Sequence, residues 1–416
     1  MELRRIRLSR MALMMLAGCV LGFVLLTAAC CLPLTGLKDA QETADLFRKE
    51  GNRPQVIPTY ISSTGDGYTD ALMLAEALFD DPQVSPLEQA VYVYRRANSE
   101  SASVDIADYL EGKDMQWTIS YERYWHGFLV FLRPLLMVFS YADLRMLICA
   151  AQMMLFALMA VLISKKGMTE LIVPFSAMIL TLSPMGTMLS LQYFSTYIVM
   201  MLGMFAVLTA NEWLCGGARY FYFFLLLGML TCYVDFLTYP LAALCMPLAL
   251  ALWMHREETG MLRFAVGACV MWCIGYLGFW ALKWAAGSLL VQDNLIMNAL
   301  YRMKYQTSAE HAETAGRFES IIRNAAVVLK PGYIVLYLSS AVICALPLLR
   351  GNREAGSLLS GSRLLLPALA LAPFAWWLLA ANHSLVHTFF PYRLISITVF
   401  ALLIWLSSAR ERACAD

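Results

Sequence analysis

The apolar residues of this chain are gathered into a series of long, nearly uncharged runs, and no other feature narrows the fold so far. Of 416 residues, 60% are hydrophobic and only 15% charged, whereas a soluble domain carries about a quarter charged. Spanning ~30 Å of hydrocarbon takes a helix of about 20 apolar residues. Transmembrane β-strands would instead alternate apolar and polar residues over ~10-residue segments, and such segments are absent here. The sequence therefore predicts an all-α, polytopic transmembrane protein. Candidate spans fall at 143–164, 171–183, 187–210, 220–234, 241–254, 262–284, 333–349, 364–380 and 394–407. With a first helix at the N-terminus they make about ten transmembrane helices, the shorter ones borrowing flanking residues.

Arg4, Arg5, Arg7 and Arg10 precede the first run, which ends near residue 34. A basic start and an apolar stretch also describe a signal peptide, and Thr27–Cys30 resembles a lipoprotein cleavage site. The run is longer than a usual signal core and many spans follow it. It is read as an uncleaved helix with its N-terminus inside. Cytoplasmic loops are enriched in Lys and Arg. Counting from that start, inner connections hold Lys165 with Lys166, Arg219, Arg256 with Arg263, then Arg350, Arg353 and Arg363, and finally Arg410 with Arg412. Of the outer turns at 184–186, 235–240 and 382–393, only the last has a basic residue. Both termini are thus expected inside. The chain divides into a first helix (1–37), an extracytoplasmic loop with an interfacial segment (38–142) and a multi-helix domain (143–416) with a second outer segment at 291–330.

The first loop is too long for a bare connection, since those run to about 4–6 residues. Residues 68–79 read as a helix with apolar Leu72, Leu74, Ala75 and Phe79, started by Asp66 or Thr69. Residues 87–96 are a second candidate. At 121–134 the chain turns from Glu122, Arg123 and His126 into an apolar run that carries Arg133 and Pro134. That run, 127–141, is short and is expected to be interfacial or re-entrant. The segment 291–330 places Asp293, Arg302, Lys304, His311, Glu313 and Arg317 mostly at helix-compatible spacing, as a solvated amphipathic helix would.

Several function classes lose support. Net charge is +1 with no basic cluster, so no nucleic-acid partner is expected. Most of the eleven cysteines lie in apolar runs, which argues against a disulfide framework or a cysteine metal site. Neither a Walker motif nor a serine-hydrolase, zinc-protease or dinucleotide-binding pattern is present. A transporter would need polar residues through the depth of the membrane. The unusual residues instead collect on the expected outer side, where four of the five histidines fall.

Each of these has a plain reading beside a functional one. Asp66 and Asp70 are either acidic first-turn residues of a helix or a general base whose burial raises its pKa. Asp235, with Thr238 and Tyr239 in a Pro-terminated turn, either caps its own backbone or faces a cavity. Arg133 either snorkels to headgroups or binds an anion such as phosphate. In the last turn, Asn382, His383, His387, Tyr392 and Arg393 are either interfacial anchors or donors around a phosphate. The i,i+4 histidines are also a possible metal pair, without a local acidic third ligand.

The layout resembles the GT-C type integral-membrane glycosyltransferases. It has an inward N-terminus, a long structured first outer loop with acidic residues, an interfacial segment, many helices and an outward site. The stretches 122–127 and 382–387 also look like those of uncharacterised bacterial membrane proteins in this neighbourhood. The resemblance implies transfer of a sugar from a polyprenyl-phosphate carrier to a cell-envelope glycan or lipid, on the outer face of a bacterial plasma membrane. Asp66, Asp70 or Glu122 would be catalytic, Asp66 or Asp70 being the base. His126, Arg133, Asp235, Tyr239, Asn382, His383, His387 and Arg393 would bind substrate, and no certain cofactor is implied beyond a possible divalent metal ion. Asp66 or Asp70, Glu122, Asp235, Arg133, His383 and Arg393 are then expected to line one outward cavity. The alternatives are a transporter or flippase for a lipid-linked or anionic substrate, or a cell-envelope polymerase or ligase.

Overall fold

A computed structural model describes residues 6–34, 36–308 and 316–411. Arg4, Arg5, His311, Glu313 and Arg412 lie outside the described residues. The first long helix, α1 (Leu8–Cys30), leads into a polar region with helices α2 (Ala40–Glu50), α3 (Gly67–Leu78), α4 (Pro86–Tyr92) and α5 (Ala102–Leu110). In it, strands β1 (Arg95–Ala97) and β2 (Trp117–Ile119) pair antiparallel, with Arg96 opposite Thr118. Next come α6 (Leu129–Leu136), α7 (Tyr141–Lys165), α8 (Ile172–Thr181), the single turn α9 (Pro184–Thr187), α10 (Leu191–Cys215), α11 (Arg219–Val234), α12 (Leu241–Met254) and α13 (Met261–Val291). The rest is α14 (Leu295–Thr307), α15 (Phe318–Val328), α16 (Pro331–Leu349), α17 (Leu365–Leu369), α18 (Ala372–Leu379), α19 (Ala381–Val386) and α20 (Ile395–Leu406). A second small ribbon joins β3 (Arg353–Glu354) to β4 (Arg410–Glu411).

Among the described residues, six helical stretches are long and apolar enough to cross a membrane: α1, α7, α10, α13, α16 and the broken stretch Gly361–Leu379. At 1.5 Å per residue the 25 residues of α7 reach ~37 Å. Met146, Met154 and Val161 on α7 are exposed. An apolar helix face of that size is stable against lipid rather than water. These helices mark a membrane protein. The remaining apolar runs form shorter helices at Thr169–Thr181, Arg219–Val234, Leu241–Met254 and Pro391–Leu406. The 14 residues of α12 reach only ~21 Å. Nearly all of α12 is buried, packed among α10, α11, α13, α17 and α20, so it is a core helix of the bundle. α11 and α13 cross with their backbones nearly touching. A methyl on Gly228 would run into the Trp272 carbonyl, and one on Gly275 into that of Leu225. Small residues permit such close crossings in membranes.

The polar region covers one end of this body. Tyr141 at the start of α7 and Leu191 at the start of α10 both bond Asp70 of α3. Tyr233 in the last turn of α11 accepts from the Gly127 N–H at 2.7 Å, and Trp284 of α13 donates to the Arg123 carbonyl at 2.9 Å. At the opposite end His255 meets Glu258, while Arg363 and Arg410 both reach Glu257.

One local expectation changes. The helix expected over 87–96 stops at Tyr92, because Val93 adopts a left-handed conformation (φ 50°) that turns the chain into β1. The fold is mostly helical, as an all-α protein requires, with two small ribbons besides the helices. Three-residue strands are too short for alternation to reveal them, and Ala97 is the only buried residue of β1.

Candidate functional site

A cavity of about 510 Å³ lies where the polar region meets the helix ends. Its acid is Asp66, and its bases are Arg53, Arg95, Arg123, Arg302, His383 and His387. Gln192 and a set of aromatic rings, including Tyr68, Tyr121, Tyr124, Phe236, Phe389 and Phe390, complete the wall.

Asp66 is placed by local sequence. It is the N-cap of α3, with Oδ1 accepting the Thr69 N–H at 3.0 Å and Oδ2 accepting the Thr69 hydroxyl at 2.7 Å. Its backbone N–H donates to Ser190 Oγ at 3.3 Å, which fixes the cap against α10. The side chain is buried. Desolvation pushes its carboxyl up to about 6, against the pull of Thr69 and of the Arg53 and Arg393 charges. It is thus a carboxylate that takes a proton near neutral pH, at a cavity wall.

Asp70 stands one turn further along α3 and does not line the cavity. Its two oxygens accept from Ser190 Oγ at 3.0 Å, Leu191 N at 2.9 Å, Gln192 N at 3.2 Å and Tyr141 Oη at 2.9 Å. It is the anion at the N-terminus of α10, where free N–H groups and the helix dipole favour negative charge. Burial pushes its carboxyl up to about 7, and the donors pull against it.

The arginines make the cavity electropositive. Arg53 lies 4.8 Å from the centre of the Phe389 ring, Arg123 4.5 Å from that of Tyr121, and Arg302 4.7 Å from that of Tyr305. None of the three is in an ion pair among the described residues, in contrast to Arg48, Arg96, Arg145, Arg363 and Arg410. Arg95 has Asp105 at 3.7 Å. Three guanidinium groups held against aromatic rings and outside ion pairs among the described residues suit a phosphate, whose oxygens match their fork of N–H donors.

His383 is buried on α19, with Nε2 2.7 Å from the Leu237 carbonyl oxygen. A carbonyl only accepts, so Nε2 carries the hydrogen. Burial lowers the ring to about 4, which leaves Nδ1 as an acceptor, and that atom has no partner among the described residues. The His387 ring is 5.1 Å from that of His383 and stacks on Phe390. Among the described residues no three metal-ligating side chains converge.

Of the residues expected around one cavity, the structure brings Asp66 and His383 to the wall, where the substrate-binding candidate His387 joins them, and places the others behind it or elsewhere. Arg393 is fully buried, donating to the Leu182 carbonyl at 3.0 Å and the Phe389 carbonyl at 2.7 Å, with Nη2 unpartnered and Tyr193 3.9 Å away. Arg133 neither snorkels nor faces the cavity, because it donates to the carbonyls of Ala77 and Leu32. It ties the end of α3 to the end of α1. Asp235 is occupied by Thr196 Oγ1 at 2.9 Å and by the Thr238 N–H and hydroxyl. Tyr239 donates to the Tyr193 carbonyl at 2.6 Å, and Asn382 to that of Tyr305 at 3.0 Å. His126 is clamped between Glu76 at 2.9 Å and the Tyr121 carbonyl at 2.6 Å. Glu122 is buried beside these residues with Oε2 unpartnered.

Sequence reasoning did not single out Arg53, Arg95, Arg123, Gln192 or Arg302 as site residues. They come from separate elements and have no mutual spacing to read. The one local sign is Arg302 placed three residues before Tyr305 on α14, which lets the guanidinium lie on the ring. No protein-family model matches the chain, and no curated protein or solved structure matches it.

Proposed function

We propose that the chain is a membrane glycosyltransferase of the GT-C kind, transferring a sugar from a polyprenyl-phosphate carrier to a cell-envelope acceptor, with Asp66 as the base. The observation that carries this reading is a single cavity that joins a buried carboxylate with three arginines outside ion pairs among the described residues. In the reaction the acceptor oxygen bonds to the sugar C1 as the bond from C1 to the carrier phosphate breaks. The acceptor proton passes to Asp66, and the carrier leaves as its phosphate anion. Arg53, Arg123 and Arg302 stabilise charge on that leaving group. The polar region and the helix ends hold donor and acceptor in line. Asp66 suits the base role better than Asp70, whose oxygens already accept four hydrogen bonds. About ten spans, both termini inside and the site outside complete the proposal.

The test is transfer from a radiolabelled polyprenyl-phosphate sugar by the purified full chain. Asn also caps helices well, so Asp66→Asn should fold. Loss of a general base typically costs about 10²–10⁴-fold in rate, and Asp66→Asn should lose that much. Unchanged turnover in Asp66→Asn would reject Asp66 as base, and no transfer by the wild type from any such donor would reject the glycosyltransferase reading.

A further inference from the structure

Four residues of the cavity wall, Arg95, Arg123, Gln192 and His383, carry a buried polar atom without a hydrogen-bond partner among the described residues, and the last two of them are uncharged. Gln192 is 2% exposed, and its side-chain Oε1 has no hydrogen-bond partner among the described residues. His383 is 3% exposed, with its one N–H committed to Leu237 and its Nδ1 acceptor unpartnered among the described residues. Buried polar groups are almost always paired, so an orphaned amide oxygen and an orphaned imidazole nitrogen beside one cavity point to a ligand that completes them.

Position in the cavity says which part of the ligand. Gln192, His383 and Asp66 are buried, while Arg53 is exposed and Arg95, Arg123 and Arg302 are half-buried. The cations thus stand nearer water and the acceptors lie deeper. A phosphate suits the first layer and would be repelled by the carboxylate and lone pairs of the second. The inner layer calls for a group with several hydroxyls. An amide can accept from and donate to a hydroxyl, and Nδ1 of a neutral histidine can only accept. Phe236, Phe390 and Tyr124 give the same layer flat apolar faces. Hydroxyls at the edge and C–H groups on the face describe a sugar ring.

We infer that Gln192 and His383 form the subsite for the hydroxyl groups of the transferred sugar and set which sugar is accepted. The inference rests on the glycosyl-phosphate reading above and adds the residues that distinguish a sugar from any other phosphate ester. A site that hydrogen-bonds a hydroxyl strongly rejects the analogue without it, because its own buried polar groups are then unpaired.

The experiment measures binding to the full chain in detergent by calorimetry, using cyclohexyl phosphate and a panel of aldose 1-phosphates (glucose, galactose, mannose, arabinose and N-acetylglucosamine). All share the phosphate, and cyclohexyl phosphate lacks the hydroxyls. The expected result is at least one aldose 1-phosphate binding tenfold or more tighter than cyclohexyl phosphate. In Gln192→Met and in His383→Phe that preference should fall to within about threefold, with cyclohexyl phosphate affinity kept. Melting curves show whether each variant folds, and if one does not, the other carries the test. A wild type without the preference, or a folded variant that keeps it, overturns the inference while phosphate binding stands. Failure of every ester to bind the wild type overturns the glycosyl-phosphate reading itself, and this inference with it.

Discussion

The phenolic hydroxyl of Tyr141 donates to the Asp70 carboxylate at 2.9 Å, and the same carboxylate accepts the Leu191 N–H at 2.9 Å. One acid in the polar region therefore joins the starts of two membrane helices, α7 and α10. Asp66, one turn earlier, borders the cavity and is held mainly by Thr69 of its own helix. Two carboxylates four residues apart are divided between holding the site together and facing it.

Asp70→Asn should act on stability before chemistry. The amide would turn an NH₂ group toward one or more of the donors from Ser190, Leu191, Gln192 and Tyr141. Hydrogen bonds to a charged group contribute roughly 1.5–3 kcal/mol each, and orphaned buried donors add their desolvation cost. The expected loss is on the order of 3 kcal/mol, seen as a lower melting temperature in detergent. Assayed well below that temperature, the variant should retain far more activity than Asp66→Asn.

Asp66 ties activity and stability to pH in opposite directions. Its folded carboxyl is raised by burial from 3.8 to about 6. As a base it works ionised, so kcat/KM should fall as pH drops through about 6. For stability, a group whose folded pKa is raised binds its proton more tightly in the native state. Its stabilising contribution is complete below the unfolded value and is lost as pH rises through about 6. A shift of this size corresponds to on the order of 3 kcal/mol. Between pH 7.5 and 5 the wild type should gain melting temperature relative to Asp66→Asn while it loses activity. Parallel melting curves, or a flat rate profile, would count against a buried titrating carboxylate.

The sequence carried the helices further than the site. Residues 241–254 delimit α12 because Pro240 and His255 bracket an uninterrupted apolar run. Asp66 was legible as a cap because an N-cap bond is local, reaching only to Thr69. His383 and His387 were legible as a pair because one turn of helix sets their separation. The Asp235 turn left two readings, and what decides between them is Thr196, 39 positions away on α10. Arg133 is the same case at longer range. Its partner carbonyls on Ala77 and Leu32 lie 56 and 101 positions away, and backbone acceptors leave no trace in composition. Gln192 and Arg53 looked ordinary because their meaning comes only from what the folded chain sets opposite them.

Arg133→Gln should separate structure from function. The guanidinium bridges two helix ends through backbone carbonyls, and Arg133 is not part of the cavity wall. Losing a charge-assisted pair of this kind costs about 1.5–3 kcal/mol. The melting temperature should fall, and affinity for cyclohexyl phosphate should stay within about twofold of wild type. A selective loss of phosphate affinity with unchanged melting would place Arg133 in the binding site instead.

Arg53, Arg302 and Arg95 border the same cavity, yet their substitution should be felt differently. Arg53 and Arg302 rest on aromatic rings without an ion pair among the described residues, so their charge is available to a ligand. Arg95 already has the buried carboxylate of Asp105 at 3.7 Å. Removing one charged hydrogen-bonding partner of a phosphate costs about 1.5–3 kcal/mol, or roughly 10–100-fold in affinity. Arg53→Gln and Arg302→Gln should each weaken phosphate-ester binding within that range, with little change in melting temperature. They should also flatten its dependence on ionic strength, since fewer charges are then screened. Arg95→Gln leaves Asp105 buried without its cation, so its main effect should be on melting temperature, with a smaller loss of affinity. Calorimetric titrations with cyclohexyl phosphate at low and high salt, run beside melting curves, separate the two patterns. If all three variants lose affinity equally and none loses stability, the Arg95–Asp105 pair is not holding Arg95 back from the ligand.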